Sequence, residues 1–215
     1  MRRLLTRKWF KGPVFAFALV PVLLLLRRYF EQDLGANPVE TITHATGDWT
    51  LRFLAMTLAI SPLRRLLGLP ELIRFRRMFG LFAFFYGCLH LATYLWLDKF
   101  FDFGEIAKDV YKRPFITVGF VAFVGMIPLA VTSTAGWIRR LGGKRWAQLH
   151  RLIYLSAIAG VAHYYWLVKS DVRLPLLYGA IMVVLLGERL WRSFGSNAAT
   201  PRSPRAPSSP PTPAA

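Results

Sequence analysis

The feature that most constrains this chain is a series of apolar runs long enough to cross a lipid bilayer. A helix needs about 20 mostly apolar residues to span the hydrocarbon core, since each residue rises about 1.5 Å. The runs are continuous and do not alternate with polar residues, which excludes an outer-membrane β-barrel. The first run could also be read as a signal peptide, but no small-residue cleavage site follows it. Six segments meet this description, and they are residues 10–30, 49–63, 78–97, 115–131, 149–168 and 174–191.

Composition supports a membrane protein and excludes two other classes. Hydrophobic residues make up 54% of the 215 residues and charged residues 18%, whereas soluble domains carry about 25% charged residues. The 17 Phe, 8 Tyr and 7 Trp residues exclude an intrinsically disordered chain. We therefore predict an all-α integral membrane bundle of six transmembrane helices within residues 1–194. A disordered, Pro/Ser/Ala-rich cytoplasmic tail is predicted for residues 195–215.

The basic charge falls on one side of the predicted bundle, and this sets its orientation. The N-terminus, residues 64–77, residues 139–151 and the chain from residue 188 hold 19 of the 28 Lys and Arg residues but only two of the 11 acids. The positive-inside rule then places both termini in the cytoplasm. Topology and lipid headgroups account for the net charge of +17, so no nucleic-acid partner is needed to explain it.

Two histidines lie inside apolar runs, where an ionisable side chain is expensive and usually pairs, coordinates or carries charge. His90 lies 13 residues beyond Arg77, and His163 lies 13 residues beyond His150. Because Arg77 and His150 both mark the basic end, the two imidazoles are displaced by ~20 Å toward the outer face, at matching depth on two helices. Two facing imidazoles are what an axially ligated heme iron needs. Zinc would need three or four ligands, and Cys88 faces a different side of the helix from His90.

The other two histidines are treated separately. Three roles are open for His150: it could ligate a second heme, hydrogen-bond a heme propionate or a quinone, or cap the membrane interface. On an ideal helix it lies about 140° from His163, so the two rings need not face the same partner unless the helix bends. His44 falls in a predicted outer loop, residues 31–48, and is interpreted as a solvated loop histidine.

Two arginines complete the set of candidate cofactor-binding residues. Arg52 lies in the outer half of the second span, where it either snorkels to the interface or pairs with a heme propionate. Arg77 lies level with His150 on the third span, where a second axial histidine would otherwise be expected.

Four blocks of sequence, taken in order, resemble a known family. They are residues 37–53 (NPVE, ITH, TGDW and LRF), 76–90 (RRMFG, FFY and LH), 116–137 (ITVG, PLA, TST and GW) and 139–164 (RRLGG, W, LHRL and HY). Together they look like the MsrQ family, the heme-binding membrane subunits of the bacterial periplasmic methionine-sulfoxide reductase system, which belong to the ferric-reductase-like transmembrane proteins. The resemblance covers about residues 10–192.

The resemblance implies a six-helix inner-membrane protein that binds heme b and also FMN. It implies electron transfer from quinol, or from a cytosolic flavin reductase, to MsrP, a molybdopterin-containing periplasmic reductase that repairs oxidised methionine in proteins. Sulfoxide reduction is then expected on that partner, and this chain is an electron-transfer subunit. The family's heme-associated histidines correspond to His90, His150 and His163.

One departure from related families and two alternative functions are part of this prediction. Ferric reductases and NADPH oxidases carry four heme histidines, whereas an arginine region stands here where the fourth would be.

A stand-alone ferric or cupric reductase would act directly on an external metal. A non-redox transporter or scaffold would use the histidines to relay protons or to pack, and it would be colourless. The outer loops at residues 31–48 and 98–113 are the expected docking surfaces for a partner.

Overall fold

The computed structural model describes residues 10–198, and side chains as far as residue 192; this part of the chain is helical, without β-strands. A short 3₁₀ turn at Pro70–Leu72 precedes the third helix, and a π-helical stretch at Thr93–Asp98 extends it. The helices are α1 (Lys11–Phe30), α2 (Pro38–Leu66), α3 (Ile73–Ala92), α4 (Phe103–Lys112), α5 (Pro114–Val131), α6 (Ala135–Leu141), α7 (Gly143–Leu149), α8 (Leu152–Leu167) and α9 (Arg173–Ala198).

The all-α fold class is confirmed, and each of the six predicted spans overlaps one of the helices α1, α2, α3, α5, α8 and α9. Among the described residues, four helical stretches are long and apolar enough to cross a membrane, and they are Lys11–Phe30, Pro70–Asp98, Pro114–Val131 and Arg173–Arg192. Helix α8 has 16 residues, short for a span, and α2 begins with polar residues. Six spans and cytoplasmic termini therefore stay predictions. Most of the predicted tail lies outside the described residues, since α9 is described only to Ala198.

The prediction of an outer loop at residues 31–48 is wrong over its second half, because α2 begins at Pro38. The Asn37 side chain accepts a hydrogen bond from the backbone N–H of Glu40 at 3.2 Å and so caps the new helix. Proline at the first helical position lacks the N–H that would otherwise be unpaired there. His44 is therefore a helical residue and not a loop residue.

The predicted loop at residues 98–113 also contains a helix. Helix α4 occupies most of it, and Asp102 caps that helix by accepting from the backbone N–H of Glu105 at 3.0 Å. Its buried residues, Ile106 and Asp109, lie three residues apart on the face turned to the bundle.

Aromatic packing between α2 and α3 forms the centre of the core. The ring of Phe53 stacks on Tyr86 at 5.3 Å and on Phe82 at 5.4 Å between centroids, and all three side chains are buried. Leu54 and Leu58 on α2 are also fully enclosed. Each aromatic pair adds about 0.5–1.5 kcal/mol beyond the burial of its surface. This packing fixes α2 against α3, the two helices that carry one half of the site described below.

The hydroxyl of Tyr86 fastens α1 to this core. It donates to the backbone carbonyl of Ala18 at 2.9 Å and accepts from the backbone N–H of Val22 at 3.2 Å. These two groups face each other across one turn of α1, so the hydroxyl lies in the helix's own hydrogen-bond ladder. The neighbouring Pro21 lacks an N–H and already weakens the ladder at this turn.

Tyr86→Phe tests this anchor. The change keeps the stacked ring but removes both hydrogen bonds, and we expect it to destabilise the attachment of α1 by about 1–2 kcal/mol. Amide hydrogen exchange of the purified protein should be faster in α1 while α3 and α5 stay protected. Tyr29→Phe is the matched control, because Tyr29 is exposed on the same helix. Equal exchange in the two variants would show that the Tyr86 hydroxyl does not hold α1.

An ion-pair cluster lies at the end of the bundle that carries α4. The buried carboxylate of Asp109 on α4 accepts from Lys99 Nζ at 2.7 Å and from the Tyr94 hydroxyl at 3.3 Å, and it pairs with Arg113 Nε at 3.3 Å. These contacts join α4 to the end of the α3 extension. The hydrogen bond from Lys99, supported by the charge of Arg113, lowers the pKa of Asp109 below its ordinary value of 3.8.

Low pH should weaken the contacts of Asp109 and so increase the local opening of residues 99–113. Since the pKa of Asp109 is lower in the folded protein, its contribution to stability is complete above about pH 4 and is lost as the pH falls through the lowered pKa. Hydrogen exchange of residues 99–113, corrected for the intrinsic pH dependence of amides, should rise only below that point. Asp109→Asn should exchange fast already at pH 7, whereas Glu105→Gln, which breaks an exposed pair with Lys108, should behave as the wild type. Slow hydrogen exchange of residues 99–113 in Asp109→Asn at pH 7 would contradict this account.

Candidate cofactor site

The structure brings His90 and His163 together. His90 lies near the end of α3 and His163 near the end of α8, and their ring centroids are 6.1 Å apart with the planes at 78°. The two rings thus lie at one level of the bundle although 73 residues separate them in the sequence. The 13-residue spacings in the sequence predicted this level from the helical rise alone.

Each imidazole is tied to the backbone of a different neighbouring helix. His90 Nδ1 donates to the carbonyl of Thr43 on α2 at 2.9 Å, and His163 Nδ1 donates to the carbonyl of Phe115 on α5 at 2.6 Å. A carbonyl can only accept, so in the neutral ring the proton is on Nδ1 and Nε2 carries the free lone pair. Metal-ligating histidines are usually held in this way by a backbone carbonyl or a carboxylate.

Both rings line a cavity of about 300 Å³ between α2, α3, α5 and α8. Its wall is mainly apolar and aromatic, with Leu51, Leu54, Phe120, Phe123 and Met126 among the lining residues. The polar groups that reach it are few. An apolar cavity with a small number of placed polar groups is typical of a cofactor site.

The donor set fits a metal held in a planar macrocycle better than an isolated metal ion. A metal between two imidazoles, with bonds of about 2 Å to each nitrogen, places the ring centroids about 6 Å apart, and the observed separation is 6.1 Å. Within residues 10–192, no three His, Cys, Asp or Glu side chains cluster as ligands. Cys88 does not line the cavity. The equatorial ligands must therefore come from the cofactor itself.

Asp48 stands between Arg52 and the cavity. Asp48 lines the cavity and pairs with Arg52 at 3.7 Å. The Arg52 guanidinium also donates through Nε to the Tyr178 hydroxyl at 3.1 Å and lies over the Trp49 ring at 4.6 Å. Arg52 is not itself a lining residue. The pairing of Arg52 with a heme propionate stays a prediction. It would require Asp48 to give up part of its contact with Arg52.

The structure does not bring His150 or Arg77 to this cavity. His150 lies in the turn before α8, stacked on Trp146 at 3.8 Å, and its Nδ1 donates to the Trp146 carbonyl at 3.0 Å. Its buried Nε2 has no hydrogen-bond partner among the described side chains and backbone groups. Arg77 is exposed on α3. Because α8 starts only at Leu152, the ideal-helix angle between His150 and His163 does not apply.

Several polar residues that line the cavity were not among the predicted site residues, and His44, Tyr164 and Ser156 are three of them. His44 lines the cavity from α2, and Tyr164 lines it from α8, next to His163. Ser156 is fully buried, and its hydroxyl has no partner in the described part of the chain. Ser156 precedes His163 by seven residues, two helical turns on the same face, and that spacing is a signal the sequence does contain.

These features define a class: a helical membrane protein in which two helices bring imidazoles together at one apolar cavity. The sequence model of the family described as ferric reductase like transmembrane component matches residues 46–161, more than half of the chain. That stretch runs from the outer part of α2 to α8 and so includes most of the cavity wall.

Full-length relatives narrow the class. The chain is 56% identical over 194 residues to the protein-methionine-sulfoxide reductase heme-binding subunit MsrQ of Herminiimonas arsenicoxydans, covering 88% of this chain and 89% of the relative. The subunit of the same name from Azospira oryzae is 52% identical, over 89% of this chain and 82% of the relative. That from Caulobacter vibrioides is 49% identical, over 84% and 86%. The chain therefore belongs to the MsrQ family of ferric-reductase-like transmembrane proteins.

Proposed function

We propose that this chain is the heme-binding, electron-transferring membrane subunit of a methionine-sulfoxide reductase system. The observation that carries the proposal is the pair of imidazoles of His90 and His163, 6.1 Å apart across an apolar cavity. The relatives named above are heme-binding subunits, and the donor set here suits axial ligation of heme b. The sulfoxide reduction itself is assigned to the partner subunit.

The chain's own residues would prepare this site for one-electron transfer. A bound heme supplies a reversible one-electron centre. His90 and His163 would hold it, and their backbone hydrogen bonds keep Nε2 available as the ligand atom. The apolar and aromatic wall lowers the local dielectric and so would affect the reduction potential. If His90 and His163 both ligate the metal, the protein would leave no ligand position for oxygen, and this would favour electron transfer over oxygen chemistry.

The direction of transfer follows from the predicted topology. Asp98 and Arg113, in the segment that the charge distribution places outside, line the cavity. A heme held near them lies close to the outer face, where a periplasmic, molybdopterin-containing MsrP-type reductase would accept electrons. The outer segments 31–48 and 98–113 are the proposed docking surfaces. Electrons would arrive from quinol or from a cytosolic flavin reductase.

Two further elements of the proposal come from the family resemblance. FMN is an expected second cofactor, and the cavity described above does not identify its binding groups. His150 and Arg77 stay candidates for a second cofactor position on the cytoplasmic side, about 20 Å from His163 by helical rise.

Replacing either axial histidine should abolish heme binding. His90→Ala or His163→Ala leaves one axial position empty, and we expect heme content to fall at least tenfold. The measurement is the Soret absorbance and pyridine hemochrome of the purified protein, normalised to protein. His150→Ala should keep the spectrum of the heme held by His90 and His163. A partial loss of heme per protein in this variant would indicate a second heme at His150. Unchanged spectra in both axial variants would remove the ligand assignment.

A direct metal reductase is the second candidate, because the matching family is described as ferric reductase like. Vesicles containing the wild-type protein and a reducing quinol separate the two. We expect the reduced heme to be reoxidised by the periplasmic reductase and its sulfoxide substrate, and to stay reduced with chelated Fe³⁺ alone. Rapid reoxidation by the chelate without the partner would favour the metal reductase.

A further inference from the structure

The two histidines are held by the same local arrangement on two different helices. On α2, the carbonyl that accepts from His90 belongs to Thr43, and Gly47 follows four residues later. On α5, the carbonyl that accepts from His163 belongs to Phe115, and Gly119 follows four residues later. Residues four apart share one face of a helix, so each imidazole lies over a glycine and reaches the carbonyl one turn away.

The space over each glycine is occupied by the imidazole itself. A Cβ atom added at Gly119 would lie 2.8 Å from Nδ1 and 3.0 Å from Cε1 of His163, closer than real Cβ atoms approach. A Cβ atom at Gly47 would lie 3.1 Å from Nδ1 and from Cε1 of His90, which requires a shift of a few tenths of an ångström. In both cases the closest atoms include the donor nitrogen. A methyl group would therefore push the ring at the atom that makes the hydrogen bond.

The helical backbone explains why glycine is needed at this position. Inside a helix, the carbonyl of one residue accepts from the N–H four residues later, so Thr43 is paired with Gly47 and Phe115 with Gly119. Each carbonyl has a second lone pair, and the imidazole N–H uses it. At Thr43 the hydroxyl of Thr46, which bonds to the Ile42 carbonyl at 2.8 Å, also lies 3.0 Å from the same oxygen. The approach to that lone pair passes over the residue that donates the first bond, and a side chain there would block it.

We propose that Gly47 and Gly119 are positioning residues that set the tautomer, orientation and donor strength of the axial histidines. The inference rests on the proposed heme-binding function. An imidazole whose Nδ1–H is held by a carbonyl is a more basic ligand at Nε2, and a more basic ligand stabilises the oxidised iron. Displacing the ring from its carbonyl weakens the axial bond and raises the reduction potential. The effect is larger at Gly119, where the contact is tighter.

Gly119→Ala is the principal test, and Gly125→Ala is its matched control. Both glycines lie on α5 and face α8, and a Cβ at Gly125 would lie 2.6 Å from Ser156 Oγ. The control therefore strains the same helix pair without touching a histidine. Gly47→Ala is the milder second variant and keeps the test possible if Gly119→Ala does not fold.

The measurements are made on purified, heme-loaded protein at one fixed pH: heme affinity, midpoint potential by redox titration, and low-temperature EPR of the oxidised form. We expect Gly119→Ala to lower heme affinity by about 10- to 100-fold, the range found for lost second-shell partners. The heme it retains should have a higher potential and altered g values. Gly47→Ala should change all three in the same direction and less. Gly125→Ala should lower thermal stability but keep the wild-type potential and EPR signal.

Three outcomes would overturn the inference or the function beneath it, and they are distinguishable. If the wild type binds heme through His90 and His163 but both glycine variants keep its potential and EPR signal, the glycines do not position the ligands. If Gly125→Ala shifts the potential as much as Gly119→Ala, the effect is one of helix packing. A wild-type protein that binds no heme would refute the proposed function itself.

Discussion

The hydrogen bond from each axial imidazole to a backbone carbonyl of a neighbouring helix is the interaction on which the rest of the site depends. A histidine inside an apolar bundle is costly unless its polar atoms find partners. Thr43 and Phe115 provide those partners for Nδ1. The second nitrogen of each ring keeps a free lone pair, and both rings line the same apolar cavity. The fold thus leaves two ligand atoms that a metal-containing cofactor would satisfy.

The remaining packing keeps four helices at fixed positions around that pair. Helices α2 and α3 are joined by the stacked rings of Phe53 and Tyr86, and α5 and α8 approach closely where Gly125 meets Ser156. The ion pair between Asp109 and Lys99 joins α4 to the end of the α3 extension. Each helix pair carries one imidazole and the carbonyl that orients it: α3 with α2 for His90, and α8 with α5 for His163. A shift of one helix within a pair at the level of its histidine would therefore change the position of that imidazole directly.

The sequence predicted the helices and the depth of the two histidines, because apolar length and helical rise are properties of a single segment. His44 was predicted to lie in a loop because the residues around it are polar. Asn37 nevertheless caps a helix there by accepting from the backbone N–H of Glu40. The sequence could not show that Asp48 lies between Arg52 and the cavity, since this depends on how side chains of one helix are shared among several neighbours. The glycines at 47 and 119 belong to recognisable sequence blocks, but their contacts with histidine rings exist only once four helices are packed. His150 shows the same limit, because its place before α8 and its stacking on Trp146 depend on where a helix begins.

The angle between the two imidazole planes gives the most direct test of the central claim. The planes stand at 78°, and the backbone hydrogen bonds hold each ring in place. EPR of the oxidised wild-type protein should therefore show a low-spin heme with one large, isolated g value, the signal of two axial imidazoles in nearly perpendicular planes. A rhombic low-spin signal would show that the rings become nearly parallel when heme binds. A high-spin signal, or none, would contradict ligation by His90 and His163.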